Sequence, residues 1–526
     1  MNKSRATSLD VLVIGAGPAG TALAIDLVRR GLNVRIVDKA AGAFNGSRAK
    51  GLQPRTLEVL DDFGVLDDVL EGGSRYPRLA IHLGPFAVPW RMLVQREPSS
   101  DVPFPNTWLI PQSRTDRALH ARLEALGGRV QFGTTLTELS QDASLATATL
   151  HGTHDTEQVT ARYVVGADGA ASSVRTLLGI GFVGSTDELD RIVIADAVVT
   201  GLSRDRWHIW PGLKGRFVAA CPLPHTDMFQ WMIRLAPGEE PMRDREGLSA
   251  RIRAHTRDVG IDLGDVRWTS VFRPNIRLAE RYRNGRVFLV GDAAHVHTPA
   301  GAQGLNTGIQ DAYNLGWKIG QVLAGADEQL LSSYEAERLP IAAAVLGLST
   351  KKYQAITKLS TSSIRRGKDE QQLGLSYYGG PLAAPQAERT KTLRAGDRAP
   401  DAELCGAGKD RSRLFDAYRG PHFTAVAYGV RAAQHLDRST WPSRGAALKR
   451  VVIDADSERT DLVYRDNAHT FRRAYGVTDD ALVFIRPDGY IGHIAIRDLS
   501  MATYALRAMT PMSEGMDEGS TKTARR

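Results

Sequence analysis

Apolar positions along the chain fall into short β-branched runs, each followed by a glycine turn and a helical stretch. Val11-Leu-Val-Ile14 is the first such run. Gly15-Ala-Gly-Pro-Ala-Gly20 follows it, then a helix carrying Ala22, Leu23, Ile25, Leu27 and Val28 that stops at Gly31. A second strand, Val34–Val37, ends in Asp38. Further on, a strand ends at Leu109-Ile-Pro-Gln112, a helix is predicted over Thr115–Leu126, and residues 129–165 alternate as a β-meander. The meander closes on Tyr163-Val-Val-Gly-Ala-Asp-Gly169, with a helix start at Ser172–Arg175. From about 179 to 280 the pattern is β-rich, with aromatic clusters at Trp207–Trp210 and Met228–Trp231. Val287–Val290 is another strand, broken by Gly291 and followed by Asp292, a loop with Pro299, Gly301 and Gly304, and a helix over Leu305–Leu323. A second long helical region runs from Ser333 to about Leu359, and 361–389 reads as a polar loop leading to a last domain. There, strands are predicted at Phe423–Tyr428, Arg450–Ile453, Ala481–Ile485 and Ile491–Ile496, with a final helix and a charged tail from Pro511 expected to be disordered.

The length of 526 residues requires more than one core. At 42% hydrophobic and 24% charged the composition is that of a soluble globular chain, and the net charge of +8 is scattered rather than blocked, which argues against a nucleic-acid groove. The cysteines Cys221 and Cys405 form no CxxC pair and no metal-ligand cluster. The N-terminus lacks a signal-peptide core and no run of 18 apolar residues occurs, so a cytoplasmic protein with no membrane contact is expected.

The first segment carries the most chemistry. Strand, Gly15/Gly17/Gly20, helix, second strand and terminal acid fall in the register of a dinucleotide site. Gly15 makes the tight turn, Gly17 lets a pyrophosphate approach the backbone, Gly20 lets helix and strand pack closely, and Asp38 is placed to hold a ribose. Arg48 could reach a pyrophosphate or be a solvated loop residue. Asp292 can accept hydrogen bonds from hydroxyls, and the N-terminus of the helix after Gly304 can stabilise negative charge.

The three motifs Gly15–Gly20, Gly166-Ala-Asp-Gly169 and Gly291-Asp292, with the string Gly-Asp-Ala-Ala-His…Pro…Gly…Gly-Leu-Asn, resemble the group A flavoprotein monooxygenases, the FAD-dependent aromatic hydroxylases. The last domain, βαβ then hairpin then helix, resembles thioredoxin and the tailed members acting on phenols, polyketide aromatics and rifamycins. The resemblance implies an α/β fold with three parts. Residues 9–178 and 281–360 would form a Rossmann-like FAD-binding domain, 72–106 and 179–280 a β-sheet substrate domain, and 393–510 a thioredoxin-like domain without CxxC, followed by the 511–526 tail. It further implies that Gly15, Gly17, Ala19 and Gly20 cradle the FAD pyrophosphate and that Asp38, with Lys39 beside it, takes the adenosine ribose. Arg48 and Gln112 would touch phosphates and ribityl chain, and Leu136 would offer a backbone contact to adenine. Asp168 would serve FAD and NAD(P)H binding, and Asp292 the cofactor hydroxyls. Pro299 would lie against the isoalloxazine, with Gly304, Leu305 and Asn306 at its pyrimidine edge. The implied reaction uses NADPH or NADH, dioxygen and a flavin C4a-hydroperoxide to hydroxylate a phenolic or polycyclic aromatic, in a chain that could form a homodimer.

The same scaffold could instead carry out epoxidation, Baeyer–Villiger oxidation or antibiotic inactivation. A non-oxygenating flavin-binding interaction protein is the alternative from another class. His295 belongs to the common string and reads as structural. His297 could face the pocket, and no residue stands out as the base for a phenol.

Overall fold

The computed structural model describes residues 9–511 except 85, 154, 299–301, 358–368, 384–387, 407–409 and 500–505, so the tail beyond 511, Pro299 and most of the expected final helix lie outside the described residues. The first sheet is built on Leu9–Ile14, which pairs in parallel with Val34–Val37 on one side and Thr156–Gly166 on the other. Val287–Leu289 extends it in parallel beyond Thr156–Gly166. Val11, Leu12 and Val13 have no exposed surface, as expected of a parallel strand covered on both faces. The Pro18–Val28 helix starts with Pro at its first turn, where the missing N–H costs nothing, and packs along the Gly304–Leu323 helix. That long helix begins one residue before the expected Leu305.

The second sheet has seven strands in the order Asp262–Phe272, Ile192–Thr200, Met228–Arg234, Phe217–Pro222, Arg206–Pro211, Arg78–Leu83 and Phe86–Trp90. Chain from before residue 91 thus joins chain from 192–272, through the parallel pairing of Arg78–Leu83 with Arg206–Pro211. The Arg245–Thr256 helix covers one face with Leu248 and Ile252. Strand alternation divides the aromatic clusters between the two faces. Phe229, Trp231 and Trp210 pack on the helix side, with the two indoles stacked 6.2 Å apart, while Trp207, Ile209 and Met232 face the opposite way. The aromatic clusters are therefore split between the two faces and do not present a single apolar wall.

The third sheet also has seven strands. Phe423–Tyr428, Leu448–Ile453 and Leu462–Arg465 run parallel, with Ala481–Ile485 and Ile491–Ala495 added antiparallel. The helix Val430–Arg438 makes the expected βαβ crossover, whereas Glu403–Gly406, Arg411–Arg413 and Leu462–Arg465 are strands the hydrophobic pattern did not mark. One face closes over Phe471 and Tyr475. The other continues into the core around the first sheet, where Phe423 meets Trp317 edge-on at 5.7 Å. Buried charges tie the two together. Glu337 accepts from Arg486 Nη1 at 2.7 Å and from Lys318 at 2.7 Å, and Arg486 also pairs with Asp488. Burial alone would raise the Glu337 carboxyl, but Arg486 and Lys318 hold it down at about 2. No helix among the described residues is long and apolar enough to cross a membrane.

Candidate functional site

The ends of the first sheet's strands, the start of the Gly304–Leu323 helix and the open face of the second sheet enclose a continuous cavity of about 930 Å³. One end is polar and backbone-lined. Gly15, at φ +105°, lies against the second motif so tightly that a Cβ there would sit 2.3 Å from the Ala167 carbonyl oxygen. A Cβ on Gly20 would fall 1.9 Å from the Gly15 carbonyl oxygen. Gly15 is thus required by packing between motifs and Gly20 by packing within the first one. Gly17 differs: nothing lies within 4 Å of where its Cβ would be, and it lines the cavity. Thr21 makes the first bond back into the helix, to Gly17 at 2.9 Å, so the N–H groups of Ala19 and Gly20 have no acceptor within it.

Across the cavity, Thr307 bonds back to Gln303 at 2.8 Å, so the N–H groups of Gly304, Leu305 and Asn306 likewise precede the intrahelical ladder. Asp292, on the turn after Val287–Leu289, opens onto the cavity and makes no hydrogen bond among the described residues. Its surface is exposed where it lines that space, although protein surrounds it. This enclosure raises its carboxyl, against the charges of His295 and Arg48. Arg48 lines the same end, its guanidinium 5.9 Å from the Phe44 ring and without a hydrogen bond among the described residues. Gln112 takes the Ala49 N–H at 3.4 Å and lines the cavity too.

Helix N–H groups outside the intrahelical ladder, a glycine with open space, and a guanidinium and a carboxylate without hydrogen bonds among the described residues together suit an elongated ligand with phosphates and hydroxyls. The FAD implied by the sequence motifs fits these donors and acceptors.

Several residues sit elsewhere or act differently than the motifs suggested. Asp38 is spent on the glycine loop, accepting from Ala16 N–H at 2.7 Å and Ala40 N–H at 2.8 Å, and it does not line the cavity. Its remaining lone pairs are what a ribose could use. Lys39 is exposed and outside the cavity lining. Leu136 is a core residue, 4% exposed, paired with Leu150 in a β-ribbon away from the cavity. Asp168 caps the Ser173–Leu177 helix, accepting from Ser173 N–H at 2.7 Å, Val174 N–H at 3.1 Å and Ser172 Oγ at 2.5 Å. Its neighbours Ala167 and Gly169 line the cavity instead. The Asn306 side chain accepts from Gln53 N–H at 2.8 Å and donates to the Gly51 carbonyl at 2.8 Å, which leaves only its backbone for a ligand.

His295 is fully buried, with Nε2 2.6 Å from Asp311, which also accepts from Arg338 Nε at 2.7 Å and from the Gly291 N–H at 3.1 Å. It braces the Gly291 turn, in keeping with a structural role. His297 lines the cavity. Burial and the nearby His295 push its imidazole down to about 3, so the ring is neutral, and its Nε2 has no partner among the described residues.

Two features were not foreseen. Asp116, one turn beyond Gln112, is raised to about 7 by burial, against a 3.3 Å hydrogen bond from Gln112 and with help from the charge of Asp38. The i, i+4 spacing of Gln112 and Asp116 was its only sequence signal. At the other end of the cavity, Lys50 donates to Gln230, Gln230 donates to Ser47 Oγ at 2.5 Å, and Ser47 donates to Asp196. No local pattern links residues so far apart in the chain. Around them the wall is apolar: Ile194, Trp207, Ile209, Phe217, Met232 and Trp268.

The profile of the FAD binding domain family matches residues 8–349. A flavin-dependent monooxygenase of Mycobacteroides abscessus is 38% identical over 510 residues, spanning 95% of this chain and 100% of that protein. The 12-dehydrotetracycline 5-monooxygenase/anhydrotetracycline 6-monooxygenase of Streptomyces rimosus is 39% identical over 514 residues, spanning 92% of this chain and 94% of that protein. Among solved structures, the flavin-dependent monooxygenase PieE in complex with FAD and substrate shares the fold, with a TM-score of 0.81 at 24% identity, covering 96% of this chain and 98% of that one.

Proposed function

The chain belongs to the group A flavoprotein monooxygenases, and from that premise we propose that it uses NADPH or NADH to insert one atom of dioxygen into a fused-ring, phenolic aromatic substrate. FAD, when bound, supplies the redox chemistry that activates dioxygen. The protein's own contribution is positioning and exclusion of water. Gly17 and the N–H groups of Ala19 and Gly20 would receive the pyrophosphate, and Asp292 would accept cofactor hydroxyls. The N-terminus of the Gly304–Leu323 helix would face the electron-rich edge of the ring system with its unpaired N–H groups. The second sheet walls the far end, keeping solvent from the reacting centre.

The observation that carries the substrate class is the apolar face of that sheet. Ile194, Ile209, Phe217 and Met232, with Trp207 and Trp268, extend the cavity well beyond its polar end. A broad wall with few polar fixtures suits a large flat ligand, and the S. rimosus relative, named for 12-dehydrotetracycline and anhydrotetracycline, supports the same class. We read the third domain as thioredoxin-like in fold and structural in role, since Cys405 is its lone cysteine and one face of its sheet shares the first domain's core.

The test is a titration of the oxidised FAD-loaded enzyme with phenol, naphthols, anthrols and a four-ring phenol, followed by flavin absorbance, with product formed per NADPH consumed. Affinity should rise with ring number by about 25 cal/mol per Å² of newly buried apolar surface. Best binding and full coupling with p-hydroxybenzoate, with no response to larger rings, would refute the reading.

A further inference from the structure

Lys50 is nine-tenths buried, lines the cavity, and has no carboxylate within ion-pair distance among the described residues. Its backbone stands at the junction of the two cavity ends. The next residue, Gly51, offers its carbonyl to the Asn306 side chain at the start of the Gly304–Leu323 helix, while the Lys50 side chain reaches across to the second sheet. There the ammonium lies 4.6 Å from the centre of the Trp207 ring, donates to Gln230 Oε1, and makes a long contact of 3.8 Å to Met232 Sδ.

The orientation of the Gln230 amide is fixed, because the Lys50 ammonium can only donate. With Nε2 engaged by the Ser47 carbonyl and hydroxyl, at 2.6 Å and 2.5 Å, Gln230 has no freedom to turn away. Lysine has three donors. One is well used and one weakly used, which leaves one for a ligand.

The ionisable groups around the ammonium are few. Asp196, on the Ile192–Thr200 strand, is separated from it by Ser47 and Gln230, and Cys221 comes from the Phe217–Pro222 strand. The Tyr76 hydroxyl is donated to the Lys50 carbonyl at 3.1 Å and the Trp207 strand offers an indole. A desolvated lysine beside an apolar wall is relieved either by an anion or by loss of its proton. Burial accordingly lowers the Lys50 ammonium, against Cys221 and Asp196.

We propose that Lys50 Nζ binds the acidic hydroxyl of the substrate and holds it as the aryloxide, making this residue the determinant that selects phenols and enols over their ethers. When the amine is neutral, the phenolic proton passes to it: the O–H bond breaks, an N–H bond forms, and an ammonium–aryloxide pair remains. When it already carries its proton, the phenolic proton passes to water and the same pair results. The aryloxide is the more electron-rich ring. This inference rests on the aromatic-substrate reading above, and the probes below separate the two.

The FAD-loaded enzyme and its Lys50→Met variant are titrated at neutral pH with 2-anthrol and with 2-methoxyanthracene, following flavin and probe difference absorbance. The wild type should bind anthrol roughly 10- to 100-fold more tightly than the ether, the range of a hydrogen bond to a charged group. The bound anthrol should absorb as anthrolate, well below the pH at which free anthrol ionises. Lys50→Met, checked for full FAD content, should bind both probes with the affinity of the ether and show only neutral anthrol. Equal binding of both probes by the wild type, or anthrolate absorption that survives in Lys50→Met, overturns the role of Lys50 and leaves the polycyclic reading standing. If neither probe binds the wild type, the polycyclic reading fails and the Lys50 assignment falls with it.

Discussion

Replacing Asp292 with alanine should move the cofactor-free and FAD-loaded proteins in opposite directions. In the protein alone the carboxylate faces the cavity with no hydrogen-bond partner among the described residues, and enclosure raises its carboxyl above the usual aspartate range. A raised acid binds its proton more readily in the folded than in the unfolded state. Its ionisation therefore destabilises the fold, and the loss sets in as pH rises from the ordinary value of 3.8 through the raised one. The cofactor-free Asp292→Ala protein should lack that decline and melt higher than wild type at neutral pH. With FAD the sign reverses, because a cofactor hydroxyl loses its acceptor in an enclosed site. The cost is about 1–3 kcal/mol, or roughly 5- to 150-fold in Kd. Titrating FAD into cofactor-free protein by fluorescence quenching measures the Kd, and melting curves from pH 4 to 8 with and without FAD measure the crossing. Wild-type FAD affinity in the variant, or an unchanged pH profile without FAD, would refute this placement of Asp292.

Trp231→Ala, at a position 1% exposed and stacked on Trp210, should cost about 3–5 kcal/mol of stability, seen as a lower melting temperature. Trp207→Ala, on the opposite face, should chiefly weaken aromatic ligands in a flavin-absorbance titration. Glu337→Gln should destabilise the joint between the third sheet and the Gly304–Leu323 helix by about 3–5 kcal/mol at neutral pH, since Arg486 and Lys318 lose their shared anion. The native carboxyl is depressed to about 2, so its contribution is present above the ordinary 4.5 and is lost as pH falls toward 2. The difference between variant and wild type, measured by denaturant unfolding, should therefore shrink across that range.

The parts of the site legible in the sequence are those whose chemistry is local. Gly20 packs on the Gly15 carbonyl within one strand–turn–helix, so its demand is local, whereas the Ala167 carbonyl that crowds Gly15 comes from the second motif. Asp292 followed from a strand running into a glycine turn. What escaped was decided by distant chain. Trp207 and Trp210 look alike in a β-rich stretch, yet which face each occupies depends on the Arg245–Thr256 helix and on the pairing with Arg78–Leu83. Asp38 and Asp168 are conspicuous acids at strand ends, but backbone N–H groups nearby claim their oxygens. The link from Lys50 through Gln230 and Ser47 to Asp196 has no periodicity to betray it. The edge strand Arg411–Arg413 and its neighbour Glu403–Gly406 are too short and too polar to be marked by hydrophobicity alone.

The central claim is that the cavity joins a flavin end to an apolar aromatic end, so that one atom of dioxygen reaches a fused-ring substrate. The FAD-loaded enzyme is therefore supplied with NADPH and a four-ring phenol under ¹⁸O₂, and the product is analysed by mass spectrometry. The account predicts a product that gains a single oxygen carrying the heavy label, formed in step with NADPH consumption. Oxygen drawn from water, or NADPH consumed at the same rate with and without any fused-ring phenol and yielding only hydrogen peroxide, would contradict it.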